Sequence, residues 1–99
     1  MIFQTQEQED VLVAEETTTG TTAYIIVYND DFNTFDWVVK CFTEILGHTE
    51  QQAEQLSIFI HFKGKATVKT GSLEVLKPMK DALLDRGLSA VIEEEKIEF

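Results

Sequence analysis

Asn29, Asp30 and Asp31 follow the apolar run Tyr24–Tyr28, and Phe32 closes the cluster. Three polar side chains at a strand-to-helix junction can converge on one small group: a cation, an amine or a metal ion. Far along the chain stands His61, followed by Phe62, Lys63, Gly64, Lys65 and Ala66. Whether Asn29, Asp30 and His61 share one site governs the functional reading. Taken locally, the cluster reads as a turn, because Asn and Asp side chains bond nearby backbone and favour such junctions. His61 likewise reads as a histidine near a helix end, part-buried by its neighbours Ile60 and Phe62.

Catalytic chemistry finds little support. Cys41 falls mid-helix, where it is expected to be a small apolar filler, and no Ser sits in a strained elbow motif. Asp30 and Asp31 could act with His61 as acid and base, yet adjacent side chains on a turn usually point apart. His48 and His61 are 13 residues apart, too far for one helix-face pair, and no Cys cluster assists them. Phosphate-cradling Gly motifs are absent. No catalytic residue, metal or cofactor is expected.

The elements that must position these side chains follow from periodicity. Tyr24–Tyr28 is continuously apolar with β-branched centres and predicts a buried strand. After the polar turn 29–34, Thr34 or Asp36 can cap a helix over 36–46, which Gly47 stops. Thr49 and Gln52 make a capping box for a second helix that ends at Gly64, with Ala53, Leu56, Ile60 and Phe59 on its apolar side. Residues 66–70 form a short strand, and Gly71 and Ser72 turn the chain. A third helix over 73–86 contains Pro78, which requires either a late start or a kink. Gly87 stops it, 88–92 form a last strand, and 93–99 fray. The order β-α-α-β-α-β predicts an α+β domain: a small three-stranded antiparallel sheet with helices on one face.

Ninety-nine residues suit one small domain. The net charge of −10 lies mostly at the ends. Residues 1–23 hold five acids and no base, and 93–99 hold four acids against Lys96; between them nine acids face seven bases. Without a basic groove, no nucleic-acid partner is expected. No apolar run approaches the ~20 residues that span a bilayer, and no signal peptide is visible, so no membrane role is expected. A single cysteine fits a reducing cytoplasm. Residues 1–23, rich in Gln, Glu and Thr, read as a flexible tail ahead of a core at 24–93.

The combined pattern resembles the ClpS adaptors. In that family an aromatic or apolar residue, Asn-Asp-Asp and an aromatic precede the first helix, and His-x-x-Gly-Lys follows the second. Here Tyr28 to Phe32 and His61 to Lys65 supply both motifs at the family's separation, with Ala53 to Leu56 between them. The likeness is good over about residues 24–68 and looser over 69–93. It implies a recognition adaptor that binds proteins with a bulky apolar first residue (Leu, Phe, Tyr or Trp). Such adaptors deliver these N-degron substrates to a Clp-family AAA+ unfoldase of the ClpA or ClpC type.

By matching positions, Asn29, Asp30 and His61 would hold the substrate's α-amino group. Asn33, Phe35, Val38, Ser57 and Ile60 would wall the pocket for its first side chain. Asp31 stays open between brace and ligand contact. Glu74, Lys77 and Lys80 would dock the unfoldase, the tail would serve hand-over, and the adaptor would be monomeric. The alternative within the same fold is a protein-interaction module or Clp regulator with an altered pocket. Phe35 and Ser57 both stand where the family commonly has Met, so the hole is expected to be reshaped.

The chemistry of the assignment is sound. An α-ammonium has three donors, which Asn and Asp oxygens and a neutral His nitrogen can accept. A bond to a carboxylate contributes about 1.5–3 kcal/mol, and burying a Leu or Phe side chain contributes a similar ~1.5–3 kcal/mol. Protonating His61 would replace an acceptor by a cation, so binding is expected to weaken in acid.

Overall fold

A computed structural model of the chain describes residues 21–96. Six elements follow one another: β1 (Thr21–Tyr28), α1 (Phe35–Leu46), α2 (Glu50–Lys63), β2 (Lys65–Gly71), α3 (Leu73–Asp85) and β3 (Ser89–Lys96). This is the expected β-α-α-β-α-β order. β1 lies at the centre of one antiparallel sheet, in the order β2-β1-β3. Its alternate residues Ala23, Ile25 and Val27 point to the helices and are buried with Val39, Phe42, Leu46, Ala53, Ile60, Leu76 and Leu83. Of the expected tail over 1–23, residues 1–20 lie outside the described part, as do the last three residues of the chain, whereas Thr21–Ala23 belong to β1 and are not tail.

The helix ends follow the side chains that cap them. Of the two candidate caps for α1, Thr34 takes the role: its hydroxyl accepts from the Trp37 N–H at 3.2 Å. The Thr49–Gln52 capping box of α2 is present in both directions. α3 begins at Leu73 behind Ser72, whose hydroxyl accepts from the Val75 N–H. Pro78 therefore lies inside the helix, and the late start that would place it in the first turn does not occur.

Both outer strand limits extend beyond their apolar runs. β1 starts at Thr21 rather than Tyr24, and β3 continues through the acidic residues to Lys96. Backbone pairing explains the extension: Thr22 faces Glu95, Ala23 faces Glu94 and Tyr24 faces Glu93. Thr-rich backbone is readily extended, and the Tyr24 hydroxyl donates diagonally to Glu95. On the other edge the register slips between Ile25 and Ile26, leaving Val68 as the extra residue of β2.

Trp37 fastens α1 to the end of α3. Its Nε1 donates to the Arg86 carbonyl at 3.0 Å, and the Arg86 guanidinium lies over its ring while bonding Glu44 at 2.8 Å. Cys41 is fully buried beneath, as a filler should be, and that burial pushes its thiol up.

Candidate functional site

Two helix ends hold the turn that carries Asn29 and Asp30. Gly64 ends α2 in the left-handed conformation, φ 94°, which glycine adopts without a Cβ penalty. Its carbonyl accepts the Asn29 N–H at 2.8 Å. The last turn of α2, with His61, is thereby set beside the end of β1. Lys65 then faces Tyr28 across the sheet, with its ammonium 5.7 Å from the ring centroid. These contacts give Gly64 and Lys65 of the His-x-x-Gly-Lys spacing a physical task.

Asp30 braces the turn. One carboxylate oxygen accepts from the N–H groups of Phe32 (2.9 Å) and Asn33 (2.8 Å), and the other from Asn33 Nδ2 (2.8 Å). Asn33 Nδ2 also donates to the Gly87 carbonyl at 3.0 Å, tying the turn to the end of α3. With both amide hydrogens used, Asn33 Oδ1 is left as an acceptor, and the second Asp30 oxygen retains a lone pair.

Between this turn, α1 and α2 lies a cavity of about 290 Å³. Asn29, Asp30, Asn33, Phe35, Val38, Ser57, Ile60 and His61 all line it, so every residue expected to hold a substrate lies on one surface. Val27, Tyr28 and Leu88 also line it and were not anticipated from sequence. Val27 lies on the inward face of β1, which the continuously apolar run 24–28 does not reveal. Leu88 enters only through its contact with a chain segment sixty residues earlier. The volume is at the low end of the ~300–1,000 Å³ usual for small-molecule sites, a size for one side chain.

Two expectations for α2 need correction. His61 is exposed rather than part-buried, because its neighbour Phe62 points outward at 77% exposure and meets the imidazole edge-on, 5.0 Å between centroids. Phe59 is half-exposed, off the buried face of α2 that Ala53, Ser57 and Ile60 define. Asp31 is exposed. Phe35 covers one side of the cavity while 44% exposed, a wall open to solvent on its back.

The Asp30 carboxyl feels opposing effects. Partial burial disfavours its charge, but the Asn33 N–H, the Asn33 amide and the Phe32 N–H together hold it below the usual carboxylate range. A carboxyl lowered on folding stabilises the native state above its unfolded value, and the contribution is lost as pH falls through the lower folded value. Stability is therefore expected to drop from about pH 4 downward. Denaturant midpoints followed from neutral into acid should fall less steeply in Asp30→Asn; equal slopes would remove Asp30 from this role.

Residues 19–91 match the family model described as ATP-dependent Clp protease adaptor protein ClpS. The chain belongs to the ClpS family. The ATP-dependent Clp protease adapter protein ClpS of Streptomyces coelicolor is 31% identical over 71 residues, covering 72% of this chain and 74% of that protein. The namesake from Thermosynechococcus vestitus is 37% identical over 66 residues, covering 66% and 70%. The fold is shared with Agrobacterium tumefaciens ClpS2 bound to L-phenylalaninamide, at a TM-score of 0.62 and 16% identity over 78% of this chain and 98% of that one.

As a ClpS-family adaptor of the Clp protease, the chain also needs a surface for its partner. Glu74 is exposed in the first turn of α3. Lys77 and Lys80 lie on the same helix and both reach Asp81, at 3.8 and 3.0 Å. Lys80 above all holds the Asp81 carboxyl below its ordinary range. Among the described residues no His, Cys, Asp and Glu are grouped to hold a metal ion, and no helix is long and apolar enough to cross a membrane.

Proposed function

We propose that this cavity binds the free α-amino group and the bulky apolar first residue of N-degron substrates. Asn29, Asp30 and His61 receive the amine, and Asn33, Phe35, Val38, Ser57 and Ile60 surround the side chain. The adaptor then delivers the substrate, as a cytoplasmic monomer, to a ClpA- or ClpC-type AAA+ unfoldase. Residues 1–20 act in hand-over, and Glu74, Lys77 and Lys80 lie toward the unfoldase.

One observation carries this reading. The Asn29–Gly64 bond places His61 beside a turn that keeps acceptor lone pairs on Asp30 and Asn33, over a cavity lined largely by apolar side chains. Acceptors above an apolar hole call for a ligand with a donor-rich cationic head and an apolar side chain. L-Phenylalaninamide, the ligand of the Agrobacterium ClpS2, has that chemistry.

Fluorescence titration with peptides that differ only in their first residue tests the proposal. Leu, Phe, Trp or Tyr should bind roughly 10- to 150-fold tighter than Ala, the value of burying one large side chain. Equal binding would contradict it. The alternative, a ClpS-fold module regulating the Clp machine, draws on the three bonds that Asp30 already makes within its own turn. It would show capture of a Clp unfoldase without any peptide binding.

A further inference from the structure

Ser57 is the one polar residue among the buried side chains of the described residues, at 6% exposure. It lines the candidate cavity in the company of Val27, Val38, Ile60 and Leu88. Its hydroxyl donates to the Ala53 carbonyl one turn back, at 2.8 Å. A hydroxyl has one hydrogen and two lone pairs, so the donor is used while the acceptor side is unmet by any described residue. Ser57 thus adds a buried acceptor to a mainly apolar wall.

Position gives that acceptor a use. Ser57 precedes His61 by four residues on the same helix, about 6 Å along its axis, and unlike the exposed His61 it is buried. That separation is comparable with the reach of an aromatic side chain whose α-amino group is held at His61. We propose that Ser57 makes the cavity favour first residues with a hydrogen-bond donor at the tip, Tyr and Trp, over Phe and Leu. The inference rests on the amine-clamp reading and adds which substrates within the apolar class bind best.

The expected selectivity is moderate for a physical reason. A phenol or indole N–H entering a wholly apolar hole loses its water partners without replacement. Ser57 Oγ supplies the replacement, and a neutral bond of this kind changes affinity roughly three- to tenfold. Phe and Leu are tolerated because the serine's own hydrogen stays bonded to Ala53 when they bind. Only lone pairs are then unfilled, a smaller loss than a stranded donor.

Four peptides identical after the first residue, beginning with Tyr, Trp, Phe or Leu, would be titrated against the full chain and its Ser57→Ala variant. Alanine favours the helix at this position, and the variant's unfolding midpoint reports whether the fold is intact. In the native protein Tyr and Trp should bind three- to tenfold tighter than Phe, and Ser57→Ala should bring the Tyr-to-Phe and Trp-to-Phe affinity ratios close to one. Equal Tyr and Phe affinities, or a uniform loss across all four peptides in the variant, would overturn the role of Ser57 and leave the clamp standing. Failure of all four to bind in preference to their N-acetylated forms would remove the clamp and this inference with it.

Discussion

Asp30→Ala is expected to weaken binding of a free-amine peptide roughly 10- to 150-fold, the value of one hydrogen bond to a charged group. The same change should cost the fold about 1–2 kcal/mol, less than bonds to a buried charge would give, because solvent screens this half-exposed turn. Both effects follow from one carboxylate. Its oxygens accept the Phe32 and Asn33 N–H groups and the Asn33 amide, which in turn holds Gly87. Asp30→Asn removes the charge an ammonium needs while keeping part of the brace: its amide oxygen can still accept the Phe32 and Asn33 N–H groups, but its amide nitrogen cannot accept from Asn33 Nδ2. Isothermal titration beside denaturant unfolding would report both effects. A variant that unfolds earlier yet binds at full strength would show Asp30 to be a brace alone.

The largest stability effect is expected at Phe42. Phe42→Ala should lower the unfolding free energy by about 3–5 kcal/mol, as the removed ring leaves a cavity that its surroundings fill only in part. Phe42 is fully buried on the inner side of α1, among Ile25, Leu46, Leu76 and Leu83. Most small domains have only ~5–15 kcal/mol in total, so the variant should sit near its folding threshold. Urea unfolding at neutral pH would measure the loss. A cost under about 1 kcal/mol would be incompatible with Phe42 at the core.

Local chemistry was the readable part of the sequence. The Thr49–Gln52 box, the Gly64 stop and the apolar run of β1 each depend on residues within a few positions, and all three elements form where expected. The strand extensions were hidden because Thr21–Ala23 and the acidic end of β3 are held by backbone pairing with each other, which side-chain pattern does not encode. Pro78 lies inside α3, whose start Ser72 fixes by capping.

The site divides the same way. Asn29, Asp30 and His61 came from paired motifs, and the cavity gathers them with the five wall residues. Their anchoring was out of reach, because Asn33 bonds Gly87 and Trp37 bonds Arg86 across 54 and 49 residues. The exposure of His61 was also missed, since apolar neighbours on a helix need not share its face. Its ring stands at the mouth, open to a ligand.

The proposed function turns on recognition of a free amine at the start of a chain. Its most direct test is one peptide beginning with Phe or Tyr, titrated against this protein with its α-amino group free and again N-acetylated. Acetylation should weaken binding at least tenfold, the loss of a charge-assisted bond to Asp30. Equal affinity for the two forms would contradict it.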